Sequence, residues 1–209
     1  IEVQRAGYLA AGASIFELLN QRDEAEQLLL SALATFEARY GKDSIANAQV
    51  ASLLGKLYHE SGEYTRALEA HQRALELHEK HDGPDSTYVA GPLTDVAVDL
   101  HQLGRMDEAQ RHYRRALEIH ASGKQDPGEG AARLLTNYCV FLVERGDFPA
   151  AVSHCERGVA IYDAINPDGH GLGIALGNLG AAHMALGDHA RALPHLERSL
   201  ELRRKFWGD

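Results

Sequence analysis

The stretch at residues 54–74, LGKLYHESGEYTRALEAHQRA, decides the fold because its pattern returns along the chain at a nearly constant spacing. Relative to residues 61–83, the pattern recurs 42 residues earlier, 42 and 84 residues later, and once more after a further 41 residues. Self-similarity at a period of roughly 20 to 50 residues is typical of repeat architectures. The sequence therefore predicts five copies, at approximately residues 1–42, 43–84, 85–126, 127–168 and 169–209.

Small side chains occupy two equivalent positions in every copy, seven residues apart. The first position holds Ala25, Ala67, Ala109, Ala151 and Ala192, and the second holds Ala32, Ala74, Ala116, Gly158 and Ser199. Residues two helical turns apart lie on one face, so these small side chains allow another helix to approach closely.

Turn signals precede each of these stripes. Five residues before the first small position stands a residue type that readily takes left-handed backbone angles and ends a helix: Asn20, Gly62, Gly104, Gly146 or Gly187. In the later copies an Asp or Glu follows closely, where its carboxylate can cap the next helix. Each copy is therefore predicted to be a helix, a tight turn and an antiparallel helix.

These positions resemble the tetratricopeptide repeat, and the spacing of 42 residues resembles its kinesin light chain class. The second copy fits the family signature L-G-x-x-Y-x-x-x-G-x-Y-x-x-A-x-x-x-x-x-x-A at Leu54, Gly55, Tyr58, Gly62, Tyr64, Ala67 and Ala74. The class also tends to carry a small-Asn-Leu-small run, seen here as GNLG at residues 177–180. The resemblance is weakest in the first copy, where Asn20 and Arg22 replace the turn glycine and the aromatic residue. It implies an all-α fold, a right-handed α-solenoid of five helical hairpins forming a single domain over residues 1–209.

Three prolines test this interpretation. Pro92 predicts that the first helix of the third copy starts late or is kinked. Pro194 predicts a local bend in the last helix, because its nitrogen cannot donate a hydrogen bond. Pro149 fits a helix, since it stands near the first helical position.

Stacked hairpins curve, which creates a groove. In the family the first helix of each hairpin lines the concave wall, and the resemblance implies by offset a groove made of Gln49, Ser52, Lys56, His59, Thr94, Asp95, Val98, His101, Arg133, Thr136, Asn137, Val140, Asn178, Ala181 and Met184. Asn137 and Asn178 hold equivalent positions in adjacent copies, and each amide offers a donor and an acceptor to a peptide unit. The alternative is that these amides bond the neighbouring first helix and stiffen the stack.

Composition excludes several classes of protein. The net charge of -9 and the pI near 5.7 argue against a nucleic-acid partner, because such affinity depends on clustered Lys and Arg. No apolar run approaches the roughly 20 residues of a membrane span. The two cysteines are too few for a disulfide framework or a cysteine-rich zinc site, and fit a reducing cytoplasm.

The twelve histidines and two cysteines offer no clear catalytic arrangement. His71, His183 and His189 replace aromatic residues and are interpreted as packed or partly exposed. His59 and His101 hold equivalent groove positions without further ligands for a metal, although a pH-sensitive groove remains an alternative.

Cys139 and Cys155 belong to facing helices of the fourth copy, where the family places the two positions close together. Inert packing is the favoured interpretation, and a redox-formed bridge is the alternative. No phosphate loop, nucleophile elbow or paired-carboxylate site appears, so no enzymatic activity, metal or cofactor is predicted.

The sequence thus predicts a protein-protein interaction module. Its partner is a protein or peptide bound in the groove, and its role is that of a scaffold or sensor arm in a larger signalling or regulatory protein. The alternative is a self-assembling structural domain, in which Phe206 and Trp207 of the terminal copy form a homodimer contact.

Overall fold

The computed structural model describes residues 22–122 and 128–207. Every regular element within these ranges is an α-helix: α1 Arg22–Tyr40, α2 Ala46–Glu60, α3 Tyr64–Asp82, α4 Thr87–Gln102, α5 Met106–Ser122, α6 Glu129–Glu144, α7 Phe148–Ile165, α8 His170–Leu186 and α9 His189–Trp207. Four consecutive hairpins therefore follow α1. The first helix predicted for the first copy falls in residues 1–21, outside the described residues, so the count of five hairpins stays a prediction.

The chain divides into two compact units. The first unit contains α1 to α4 and α5 as far as Ile119, and the second begins at His120 and contains α6 to α9. A single domain over residues 1–209 remains a prediction.

The small residues that define the repeat lie in the core, as predicted. The first position of each copy, from Ala25 to Ala192, has no exposed surface, and neither do the alanines of the second position. Gly158 and Ser199 at the second position are also buried. Larger side chains pack around them, such as Leu29 and Val50 in the first unit and Leu172 and Leu176 in the second.

The predicted turns are confirmed at the four described sites. Gly62, Gly104, Gly146 and Gly187 have φ between 72° and 85°, the left-handed region that side chains other than glycine rarely adopt. Capping is confirmed at two of the helices that follow: the carboxylate of Asp147 accepts from the Ala150 N–H and that of Asp188 from the Arg191 N–H. Glu63 makes no such cap; its carboxylate binds Arg66 instead.

Pro92 and Pro194 both lie inside helices that the structure shows as continuous. The expectation of a late start to the third copy's first helix is wrong, because α4 begins at Thr87, with the Ser86 hydroxyl accepting from the Tyr88 N–H. Pro92 lies inside this helix and Pro194 inside α9, and the kink predicted at Pro92 and the bend predicted at Pro194 stay predictions. Pro149 occupies the first turn of α7, as predicted.

Arginines at one position of the repeat connect consecutive hairpins within each unit. This position on successive second helices holds Arg73, Arg115, Arg157 and Arg198. Arg73 donates to the Lys42 carbonyl and to Asp43, at 2.9 Å each, and so holds the turn between α1 and α2. Arg115 donates to the Pro84 carbonyl, and Arg198 to Asp163.

Candidate peptide-binding face

The predicted groove residues differ in their access to solvent. Gln49, Lys56, Ala181 and Met184 are exposed, whereas Ser52, His59, Asp95, Val98, Arg133, Asn137, Val140 and Asn178 are partly buried. Thr94, His101 and Thr136 are buried.

The two buried threonines point towards the core. Each hydroxyl donates to the carbonyl four residues earlier, Thr94 to Ala90 and Thr136 to Ala132, both at 2.8 Å. A Cβ added at Gly158 on α7 would lie 2.8 Å from the Thr136 hydroxyl. Their hydroxyl groups are therefore occupied in helix packing, although Thr136 still contributes to the wall described next.

The second unit contains a cavity of about 500 Å³, a volume in the range of ligand-binding clefts. Its walls come from α6, the end of α7, the turn that follows, and the start of α8. The lining residues are Glu129, Arg133, Thr136, Asn137, Tyr162, Ile165, Asn166, Gly169, His170, Gly171, Leu172 and Ile174. Three predicted groove residues, Arg133, Thr136 and Asn137, therefore share one cavity.

Local packing fixes the far wall of this cavity. A Cβ at Gly171 would lie 2.5 to 3.0 Å from the ring of Tyr162, so the glycine allows α8 to start against that ring. The Asn166 side chain accepts from the Asp168 N–H at 3.2 Å and closes the turn between α7 and α8. The wall is thus set by α7 and its turn as much as by the first helices.

The polar groups of the cavity suit a chain with peptide units. Arg133 and Asn137 stand one helical turn apart on α6 and offer a cation, an amide donor and an amide acceptor. Burial, followed by the nearby Glu129, raises the pKa of Tyr162, and the protonated hydroxyl adds a hydrogen-bond donor to the wall. Apolar walls from Ile165 and Ile174 complete a mixed surface.

Asn178 does not line this cavity. It lies partly buried in α8, one copy beyond Asn137. A joint role for the two asparagines remains a prediction.

Asp99 joins two histidines in the first unit, a cluster that the sequence analysis missed. His59 Nδ1 lies 2.7 Å from Asp99 Oδ1, and His71 Nδ1 lies 2.6 Å from Asp99 Oδ2. His71 is buried, as predicted, but it is also hydrogen-bonded. His59, predicted as an equivalent of His101, has the buried carboxylate as its partner. Within residues 22–122 and 128–207, no group of three or more His, Cys, Asp and Glu is arranged to hold a metal ion.

Cys139 and Cys155 form a disulfide bond between α6 and α7. Both residues are fully buried. The favoured interpretation of two inert thiols is therefore wrong, and the bridge considered as its alternative is present. The bond fixes α6 to α7 two residues from Asn137, so it supports one wall of the cavity.

Among the remaining histidines, His183 is packed as predicted, with its ring stacked on His195 at 5.7 Å between centroids. His189 is exposed and contacts the sulfur of Met184. No helix in the described ranges has the length and apolar character of a membrane span.

The sequence matches the profiles of the tetratricopeptide repeat over residues 10–80 and 130–205, and over residues 93–122. These matches cover well over half of the chain. No curated protein matches the sequence.

Similar solved structures agree on the fold. BtubC (BKLC) from P. vanneervenii is 24% identical with a TM-score of 0.76, over 100% of this chain and 89% of that one. A Podosopora anserina putative kinesin light chain with nearly identical TPR-like repeats is 17% identical with a TM-score of 0.74, over 99% of each chain. A Rap protein complexed with Competence and Sporulation Factor is 15% identical with a TM-score of 0.81, and this chain covers 55% of its length. The predicted all-α repeat fold is thereby confirmed.

Proposed function

Since the chain belongs to the tetratricopeptide repeat family, we propose that it is an interaction module that binds a peptide or an extended segment of a partner protein on the face of its first helices. The partner is a protein rather than a nucleic acid, and the site performs no catalysis. The predicted reducing cytoplasm is not part of the proposal, because the Cys139–Cys155 disulfide is typical of oxidising compartments. Its role is that of a scaffold or sensor arm in a larger signalling or regulatory protein.

The cavity of the second unit is the observation that carries this proposal. Arg133 and Asn137, chosen by offset along the repeat, both line it. Its mixture of amide, cation and aliphatic wall suits a peptide, whose backbone needs donors and acceptors while its side chains need apolar contacts. A structure of the Rap conjugation gene regulator of the plasmid pLS20, solved in complex with the Phr* peptide, gives a precedent for a peptide ligand on this fold.

A displayed library of random peptides, screened against the purified chain, tests the proposal. Selected peptides are then measured for affinity against the wild type and against Asn137→Ala combined with Asn178→Ala. Each lost amide hydrogen bond contributes about 1 kcal/mol, so we expect the double variant to bind roughly tenfold or more weakly. Arg133→Ala should also weaken binding.

Arg157→Ala is the matched control for Arg133→Ala. It removes an exposed arginine from α7, the second helix of the same hairpin, and should leave affinity unchanged. Equal affinity of wild type and the Asn137→Ala, Asn178→Ala double variant would reject the site. Failure of the whole library to yield a binder would count against the peptide-binding function.

Self-assembly is the second candidate, and the surface of α9 supports it. Leu193, Leu196 and Leu200 are 57%, 37% and 50% exposed and recur at helical spacing on one face. Their register equivalents on α7 are Val152, Cys155 and Val159, which are buried or partly buried. Phe206, predicted as a dimer contact, is 56% exposed. The side chain of Trp207, predicted with it, lies outside the described part.

Molar mass measured by light scattering over a series of concentrations tests this candidate. A dimer that disappears in Leu193→Glu combined with Leu200→Lys would support it. Leu186→Glu, which alters a leucine of similar exposure at the end of α8, is the control. A wild-type monomer at every concentration would reject it.

A further inference from the structure

A charge at position 99 is not required by the repeat. The equivalent positions hold Leu57, Phe141 and Ala182, all in the apolar core. Asp99 has no exposed surface. Burial of a carboxylate is unfavourable unless its partners compensate for lost hydration, so the two imidazoles are needed where an apolar side chain would have sufficed.

The ring of His71 lies against α2 at a glycine, where the helix has no side chain. A Cβ at Gly55 would lie 2.2 to 2.7 Å from three atoms of the His71 ring. The imidazole therefore fills the place of a side chain that glycine lacks. Since an ionised carboxylate only accepts hydrogen bonds, Nδ1 of His71 and Nδ1 of His59 each donate to Asp99. Helices α2, α3 and α4 thus meet at one charge.

The cluster changes its net charge with one proton. When both imidazoles are neutral it carries a buried negative charge, and when one is protonated it is neutral. The hydrogen bond to Asp99 is the main cause that raises the pKa of His59, and the charges of Asp95 and Glu60 act in the same direction. Lys56 lies 3.6 Å from Glu60 on the solvent side.

Further titratable side chains on these helices include Tyr64 and His101. Tyr64, at the start of α3, places its ring 5.3 Å from that of His59. His101 is buried on α4, two residues beyond Asp99. The side chain of His59 is 31% exposed, so its proton can exchange with water without unfolding of the hairpin.

We propose that His59, Asp99 and His71 form a proton-operated clamp, which holds the hairpin of α2 and α3 on α4 when His59 is protonated and loosens when that proton leaves to water. A histidine that gains a partner on folding contributes fully to stability below its unfolded-state pKa, near 6.5. That contribution is lost as pH rises through the higher folded-state pKa. The first unit therefore weakens from slightly acidic to slightly alkaline pH.

The second unit provides an internal reference. There the positions of His59, His71 and Asp99 are filled by Val143, Cys155 and Ala182, which hold no titrating imidazole or carboxylate. Amide hydrogen exchange of the whole chain, corrected for intrinsic rates, at about pH 5.5 and about pH 8.5 brackets the range in which histidine titrates. We expect protection in α2, α3 and α4 to fall severalfold at the higher pH. Protection in α6 and α7 should not fall there, because burial lowers the pKa of His154 on α7 and its effect has the opposite sign.

A triple variant tests the cause. His59→Val, His71→Leu and Asp99→Leu together install the residue types that the repeat uses elsewhere, at Val143, Leu196 and Leu57. This variant should lose the pH response of α2 to α4, as should the simpler Asp99→Asn. His78→Gln removes a partly buried histidine bonded to Asp82 on α3 and should keep the response.

The proposal fails if wild-type protection in α2 to α4 does not fall at the higher pH relative to that in α6 and α7, whatever the variants do. It also fails if a folded triple variant or Asp99→Asn retains the wild-type response.

Discussion

The hairpin of α2 and α3 and the hairpin of α6 and α7 have different pairs of side chains at the same contact between their two helices. In the first, Gly55 leaves space that the ring of His71 occupies. In the second, the register equivalents are Cys139 and Cys155, joined as a disulfide. The first hairpin is thus tied to α4 by charge, whereas the second is closed upon itself by a covalent bond.

The last hairpin gives a third version of this contact. A Cβ at Gly180 would lie 2.6 Å from Leu196. In the repeat, Gly180 corresponds to Gly55 and Leu196 to His71. The two backbones stay close in each case while the pair of side chains changes. The repeat therefore dictates the space between paired helices and leaves open how that space is filled.

Removal of the disulfide should have the largest effect. Cys139→Ala combined with Cys155→Ala opens a link across a sequence separation of 16 residues. The loss of loop-closure entropy for a loop of that length is about 3 kcal/mol. Added reductant should lower the urea concentration at the unfolding midpoint of the wild type. It should not change the midpoint of the double variant. Equal responses of the two proteins would contradict the bridge.

Gly55→Ala tests the contact at the other hairpin. The added methyl group overlaps the His71 ring, and overpacking of this kind costs about 2 kcal/mol. The free energy of unfolding, from urea titration, should fall by that amount. Gly130→Ala, where a Cβ meets no atom within 4 Å, is the control and should not destabilise. Equal stability of Gly55→Ala and the wild type would show that the hairpin repacks freely.

The equivalent arginines of α3 and α7 should contribute differently to the stability of the two hairpins. Arg73→Ala loses bonds to the Lys42 carbonyl and to Asp43, at a cost of about 1 kcal/mol for this partly exposed group. Arg157→Ala, at the equivalent position on α7, should change the urea midpoint much less. A larger effect at Arg157 than at Arg73 would contradict the assignment.

The smallest expected effect is on the free energy of unfolding at acid pH. Lys80, followed by Arg73, lowers the pKa of Asp43 to about 2. Its contribution to stability is therefore present above the unfolded-state pKa and is lost as pH falls through about 2. Asp43→Asn should flatten the acid end of the stability curve, whereas Asp85→Asn, in the next inter-hairpin turn, should not. A carboxyl NMR titration of Asp43 near its ordinary pKa would contradict this.

Local periodicity was sufficient to predict the helices, the buried small stripe and the turns, because each depends on residues within one hairpin. The groove list was less exact. Thr94 precedes Asp95 and Thr136 precedes Asn137, and consecutive helical residues point about 100° apart. Buried threonines were consequently grouped with accessible neighbours.

The sites that were missed combine residues from several helices. Asp99 is bonded by residues from α2 and α3, and no spacing within α4 reveals that arrangement. One signal was present: an aspartate at a position where other copies hold leucine, phenylalanine and alanine. The cavity was only partly predicted because Tyr162 and the turn after α7 form its far wall.

The glycine at position 55 carries an evolutionary consequence. Relatives that gain a methyl group there must shrink or reorient the residue opposite, and would then lose one of the two imidazoles bonded to Asp99. Aligned sequences should accordingly show positions 55, 71 and 99 changing together, with the histidine and the aspartate lost in the same relatives.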